Sequence, residues 1–132
     1  MSGLEKQRIE VLPGQYTVHR FAAGKSVPEI VTRQVFYWIG QTNEELSIVC
    51  GSDIDLSAQQ QSGGWAVLKV VGPLEHSMVG VLAGISAALS GANISLFALS
   101  TFDTDYVLVQ SERLARATQC LREAGHRIMK LD

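Results

Sequence analysis

The chain has 132 residues, 46% hydrophobic and 18% charged, with 11 basic against 13 acidic residues for a net charge of −2. That length holds one compact domain or two small units sharing a core. The charges are scattered and slightly acidic, without the basic stripe that a phosphate backbone requires, so nucleic-acid binding is excluded as a function class.

From the N-terminus, residues 4–12 alternate loosely and read as an edge strand ended by Pro13-Gly14. Tyr16 to Phe21 alternates apolar with polar groups, the pattern of a half-buried strand. Ser26 can cap a short helix over Val27 to Val31, with Pro28 in its first turn. Val35 to Gln41 is aromatic and β-branched, which predicts a strand, and Leu46 to Cys50 returns from the polar turn Thr42–Glu45 to complete a hairpin. Gly51 to Gly64 is rich in Gln and Ser and closes on Gly-Gly. It reads as the boundary between a first unit, 1–62, and a second, 63–132, with Ile54 and Leu56 able to tuck down.

The second unit has stronger signals. Trp65 to Val71 is apolar at both alternating positions except Lys69, as in a central strand covered on both faces. Gly72-Pro73 ends it, and from Met78 to Phe102 there is no Asp, Glu, Lys or Arg. Met78, Leu82, Ile85 and Leu89 form a helical stripe, while Gly80, Ala83, Gly84, Ala87 and Ala88 cover much of the remaining surface. A soluble helix with no charged face needs cover on more than one side. Gly91 is the expected C′ residue, and the Gly91-Ala92-Asn93 break leaves about thirteen helical residues, too few to span a bilayer. Asn93 to Thr101 is the next strand, Asp103-Thr104 sits in a tight turn, and Tyr106 to Val109 pairs back. Ser111 can cap a second helix with the stripe Leu114, Ala117, Leu121 and Ala124, its exposed side carrying Arg113, Arg116 and Arg122. Gly125 stops that helix, and Arg127 to Leu131 supplies a last strand.

Strand, helix, strand, strand, helix, strand predicts an α+β, ferredoxin-like βαββαβ fold: a four-stranded antiparallel sheet with two helices on one face. The first unit has a similar order with one short helix, a degenerate version of the second. Cys50 and Cys120 stand far apart in no metal-like spacing, and MSGLEKQRIEV carries no apolar signal region. These features fit two free thiols in a reducing, cytoplasmic setting, with neither metal nor cofactor expected.

Gly80, Val81-Leu82, Ala87 to Leu89 and Gly91-Ala92-Asn93-Ile94 together resemble the helix-turn-strand of an ACT domain, the small regulatory module of amino-acid metabolism. Leu99 to Val109 (LSTFDTDYVLV), with PGQYTVHRF and ELSIVC in the first unit, is similar to small stand-alone bacterial proteins with two ACT-like units and to the ACT repeats of cytosolic arginine sensors. The resemblance spans the chain from about Leu12 onward. It implies a non-catalytic, amino-acid-binding regulatory protein that pairs through its ACT domains, a homodimer, with neither membrane nor nucleic acid as partner. In the family, ligand sits between the strand-to-helix loop of one domain and the second strand of a neighbour. The matching loop positions are Glu75, His76, Ser77, Met78 and Val79, followed by Gly80, and the opposing strand start is Asn93-Ile94-Ser95. The turn corresponding to Thr101, Phe102 and Asp105 contributes ligand contacts in the arginine sensors. Ser77-Met78-Val79-Gly80 departs from the Asn or Asp-x-Pro-Gly pattern of the metabolic ACT loops, which leaves the amino acid open.

The residues themselves offer matching chemistry. A helix N-terminus is a seat for a carboxylate, Gly80 permits close approach of a ligand, and Asp105, Asp103 or Glu75 can answer an ammonium. Asn93 or Ser77 can add a hydrogen bond. Each has a structural alternative: Ser77 as an N-cap, Asp103 as a turn residue, Asn93 as part of the helix stop, and His76, His19 and His126 as solvated side chains. The sequence contains no nucleophile motif, paired metal-spaced histidines or phosphate loop. Cys50 with His19 is the remaining enzymatic pairing, on what reads as strand interior. The rival to an amino-acid sensor is a ligand-free structural dimerisation module.

Overall fold

A computed structural model describes residues 6–71 and 80–131 of the chain. Their contacts divide into two compact units, residues 14–65 on one side and residues 66–131 joined by 6–13 on the other.

The 14–65 unit contains β2 (Tyr16–Ala22), β3 (Trp38–Gln41), β4 (Glu45–Gly51) and the first part of β5 (Gln60–Val70), in the order β3-β4-β2-β5. By chain order this is second, third, first, fourth strand, the arrangement two crossovers around a hairpin produce. The helices of that arrangement are reduced. The first is a 3-10 helix, Glu29–Arg33, rich in β-branched residues that favour helix poorly. The second is replaced by the helix-free segment 52–59, whose Ile54 (7% exposed) and Leu56 pack against Phe21, Val31, Leu46, Ile48 and Cys50. Both expected tucked residues are therefore in the core.

Two sequence expectations fail here. The strand expected over Val35–Gln41 is confined to Trp38–Gln41. Phe36 turns its ring edge-on to Tyr16, with centroids 5.5 Å apart, and Val35 is fully exposed. Aromatic propensity is satisfied by that contact, without a ladder. Conversely, the polar stretch 60–64 is strand: Val18, His19 and Arg20 pair with Ser62, Gln61 and Gln60. The register shifts between Tyr16 and Val18, and Gly64 takes φ +77° at the irregularity. A side chain there would be strained, which is why glycine stands where the strand bulges.

The larger unit has sheet order β6-β7-β5-β1-β8, where β1 is Arg8–Val11, β6 Phe97–Ser100, β7 Asp105–Gln110 and β8 Arg127–Lys130. Helices α1 (Val81–Gly91) and α2 (Leu114–Glu123) place Val81, Ile85, Leu89, Ala117 and Leu121 in one core with Ile9, Val11, Ala66, Leu68, Val70, Val107 and Val109. The βαββαβ order is intact, and both helices pack on one sheet face.

The exception is β1. It was expected at an edge of the first unit, yet it runs between β5, antiparallel, and β8, parallel. Ile9 and Val11 are 1% and 3% exposed. Sequence order puts these residues before the boundary at 62/63, whereas their contacts join them to residues 66–131.

Candidate functional site

Helix α1 carries no charge from end to end. Val81, Ile85 and Leu89 are buried, Leu82 and Ala88 pack against the core, and Ala83, Ala87 and Ser90 form an exposed face of small groups. The helix starts at Gly80, whose φ of +92° is left-handed, and the first intrahelical bond runs from the Gly84 N–H to the Gly80 carbonyl at 2.8 Å. The N-terminus was expected near Ser77; the helical residues begin at Val81. No side chain caps this end among the described residues. The N–H groups of the first turn therefore have no intrahelical partner, and the helix dipole favours an anion there.

The other end corrects the expected stop. Gly91 is still helical, and Asn93, with φ +61°, is the left-handed C′ residue. The Ile94 N–H reaches the Leu89 carbonyl at 3.0 Å and the Asn93 N–H reaches that of Ser90 at 2.9 Å. This is a Schellman motif, and buried Ile94 joins Leu89 in the core as its apolar contact. Helix α2 ends the same way: Gly125 has φ +100°, His126 bonds the Leu121 carbonyl at 3.0 Å, and Gly125 that of Arg122 at 2.9 Å. Asn beside Gly hid the true C′ position, since both tolerate positive φ. The Asn93 carbonyl lies 3.5 Å from Arg113 Nη2, a cation placed where the helix dipole is negative.

Thr101 to Thr104 forms the β6–β7 turn. The Thr104 N–H and carbonyl each lie 3.2 Å from Thr101 Oγ1, and Phe102 is 82% exposed. Asp105 is opposite Ser100, whose hydroxyl donates to Asp105 Oδ1 at 2.6 Å. Ser100 was not singled out from the sequence; a four-residue turn at 101–104 is the signal that would have paired it with Asp105. Ser111, expected as a cap, opens a 3-10 turn instead, and Arg113 occupies the N-cap position of α2.

The topology sorts the candidate residues into two groups. The chain leaves β5, returns along α1 and enters β6 from the opposite end of the sheet. Gly80 and the turn bearing Thr101, Phe102 and Asp105 thus share one end, while Asn93, Ile94 and Ser95 lie at the other. Thirteen residues of helical rise separate Gly80 from Asn93 by roughly 20 Å. Glu75, His76, Ser77, Met78 and Val79 lie outside the described residues.

Cys50, His19 and His126 are all buried. Cys50 is fully buried, and burial, with Asp53 adding to it, raises its thiol pKa, the reverse of what a nucleophile needs. His19 is 1% exposed, its ring nitrogens unpaired among the described residues; burial pulls its pKa below 6.5, and Gln61 and Asp55 offset part of that. The imidazole of His126, 8% exposed, accepts the Gln7 N–H at Nδ1, 2.9 Å away. Burial and then Lys6 lower its pKa. The expectation of solvated His19 and His126 side chains is overturned: both are core groups, held neutral.

A pH dependence follows. As pH falls through about 6.5, the unfolded chain protonates before the folded one, so stability is full above that value and declines below it. The limiting slope is about 1.4 kcal/mol per pH unit for each such histidine. Urea midpoints should therefore be higher at pH 7.5 than at 5.5. His126→Asn, which keeps an acceptor near Nδ1 but cannot titrate, should flatten the difference; an unchanged slope would assign it elsewhere.

Among the described residues, no group of three His, Cys, Asp or Glu side chains could hold a metal ion, and no helix is long and apolar enough to cross a membrane.

Comparison with known proteins gives these findings. Residues 61–123 match the profile of the ACT domain, and residues 14–54 match a second profile described as an N-terminal domain. A structure from Agobacterium tumefaciens is 31% identical with a TM-score of 0.89, covering 97% of this chain and 96% of its own. A Vibrio cholerae protein titled as of unknown function, possibly in transport, is 20% identical with a TM-score of 0.68, covering 89% of each chain. The regulatory subunit of aspartate kinase from Thermus thermophilus is 12% identical with a TM-score of 0.62, covering 89% of this chain and 96% of its own. The last two identities establish likeness of fold alone. No curated protein matches the chain.

Proposed function

The chain belongs to the ACT domain family, and from that premise we propose that it is a non-catalytic regulatory protein that holds an amino acid between paired copies. The observation carrying this reading is the juxtaposition of two complementary groups at one end of the larger unit. The start of α1, uncapped among the described residues, suits a carboxylate, and the β6–β7 turn brings the Asp105 carboxylate to the same end for an ammonium. Asn93 and Ser95 are too distant within one copy to reach that ligand. In a two-fold pair, whose interface is self-complementary, the second copy would supply them. The uncharged outer face of α1, with Ala83, Ala87 and Ser90, is suited to close helix approach across such an interface. Ligand binding and pairing are then linked, each strengthening the other.

A ligand-free pairing module is favoured by one specific fact: the described site residues have local structural work. Asp105 accepts from Ser100, and Asn93 closes a helix.

A thermal-shift screen of the twenty amino acids separates the readings. A ligand at one hundred times its Kd should add about 2.7 kcal/mol of stability. Asp105→Asn, which keeps an acceptor for Ser100 but not the charge, should abolish that gain. Asn93→Gly, which preserves the helix stop, should weaken it. No shift at millimolar concentrations, in a chain that still dimerises, selects the structural module.

A further inference from the structure

A concavity lies on the 14–65 unit. Its volume is about 560 Å³, and it is lined by Phe21 to Lys25 on one side and by Leu56, Ser57 and Gln59 on the other. Volumes of this order accommodate small organic ligands. It forms because the β2–β5 ladder ends at the Arg20–Gln60 pair while β2 continues to Ala22. Past that point β2 faces the irregular segment 56–59.

The walls have a definite chemistry. Phe21, 9% exposed, and Leu56 supply apolar surface, and both belong to the core of this unit. The Lys25 ammonium sits 5.7 Å from the Phe21 ring centroid. Ser57 is held with a left-handed φ of +53°, its N–H donating to Asp55 Oδ1 at 2.8 Å. Its position at the wall is therefore fixed by the backbone, and Gln59 directly precedes β5. Lys25 is the cation among the lining residues, and the Asp55 carboxylate is held next to Ser57 by that bond. A dianion would lack a second positive partner and meet Asp55. A zwitterionic α-amino acid would bring an ammonium toward Lys25. A monoanion with an apolar tail fits both constraints.

We propose that this concavity binds a small monocarboxylate with an apolar tail, its carboxylate on Lys25 and its tail against Phe21 and Leu56. Ser57 and Gln59 offer hydrogen bonds to the bound carboxylate. The site is independent of the amino-acid reading, since it shares no residue with it.

The probe is sodium isovalerate, titrated into the full chain and followed by amide NMR. Saturable shifts are expected at Phe21 to Lys25 and at Leu56, Ser57 and Gln59. Isoamyl alcohol, with the same tail and no charge, should bind about fivefold or more weakly, as should acetate, which lacks the tail. Lys25→Gln alters an exposed side chain; it should reduce isovalerate affinity by a similar factor and leave the isoamyl alcohol response unchanged. The proposal is overturned if shifts arise elsewhere, if none saturates, or if Lys25→Gln binds isovalerate as well as the native chain does.

Discussion

Removing residues 1–13 should abolish cooperative folding of the 66–131 region, although in sequence order these residues belong to the first predicted unit, 1–62. Ile9 and Val11 are almost wholly buried in the core beneath α1 and α2. Burying two such side chains stabilises by about 3–6 kcal/mol. The backbone of β1 also bonds β5 on one side and β8 on the other, each bond contributing about 0.5–1.5 kcal/mol. Those losses approach the whole stability of an ordinary small domain, about 5–15 kcal/mol. A truncated chain should show weak, broad urea unfolding and collapsed amide dispersion. A sharp transition at the native midpoint would mean that β8 pairs directly with β5 and that β1 is dispensable.

Leu89→Ala should be the most damaging single substitution in α1, costing about 3–5 kcal/mol and lowering Tm by roughly 10–20 °C. Leu89 is 0% exposed, and its carbonyl receives the Ala92 and Ile94 N–H groups, each at 3.0 Å. The substitution leaves those backbone bonds possible but empties the space between helix and sheet and removes the apolar partner of Ile94. Asn93→Ala is the informative comparison. It keeps the packing and forces a β-carbon into the left-handed region without the asparagine side chain, a cost of about 1–2 kcal/mol. Chemical denaturation of both variants measures the two contributions separately. If Asn93→Ala proved the costlier, the helix stop would outweigh the packing beneath it.

Much of the fold was legible because it depends on local periodicity. Apolar residues on both faces of Trp65 to Val71 required a central strand, and Ile85 and Leu89 required a helix laid on it. The features that were not legible depend on partners remote in sequence. Gln60 to Gly64 has no apolar signal, yet it is strand because β2 offers a ladder beside it. Val35 has strong strand propensity but no partner strand, and it projects into solvent. Isolated propensity decides neither case.

For the candidate site, the sequence identified the residue types an amino acid would need, and it placed Asp105 beside a turn. It could not divide them between the ends of the unit, since that depends on the direction of α1 across the sheet. Nor could it see that Ser100 already engages Asp105, a contact made by strand register.

The uncharged run from Met78 to Phe102 determined that a helix would be covered, and the glycines and Asn93 near its end determined that it would stop. Those properties are written in composition and spacing, because side-chain hydration and φ preference act locally. Only the tertiary structure decided that β1 would enter the sheet between β5 and β8, and that α1 would set Gly80 and Asn93 at opposite ends. Both are long-range placements, selected by which buried face and which unpaired strand edge best complete the core once all the elements are present.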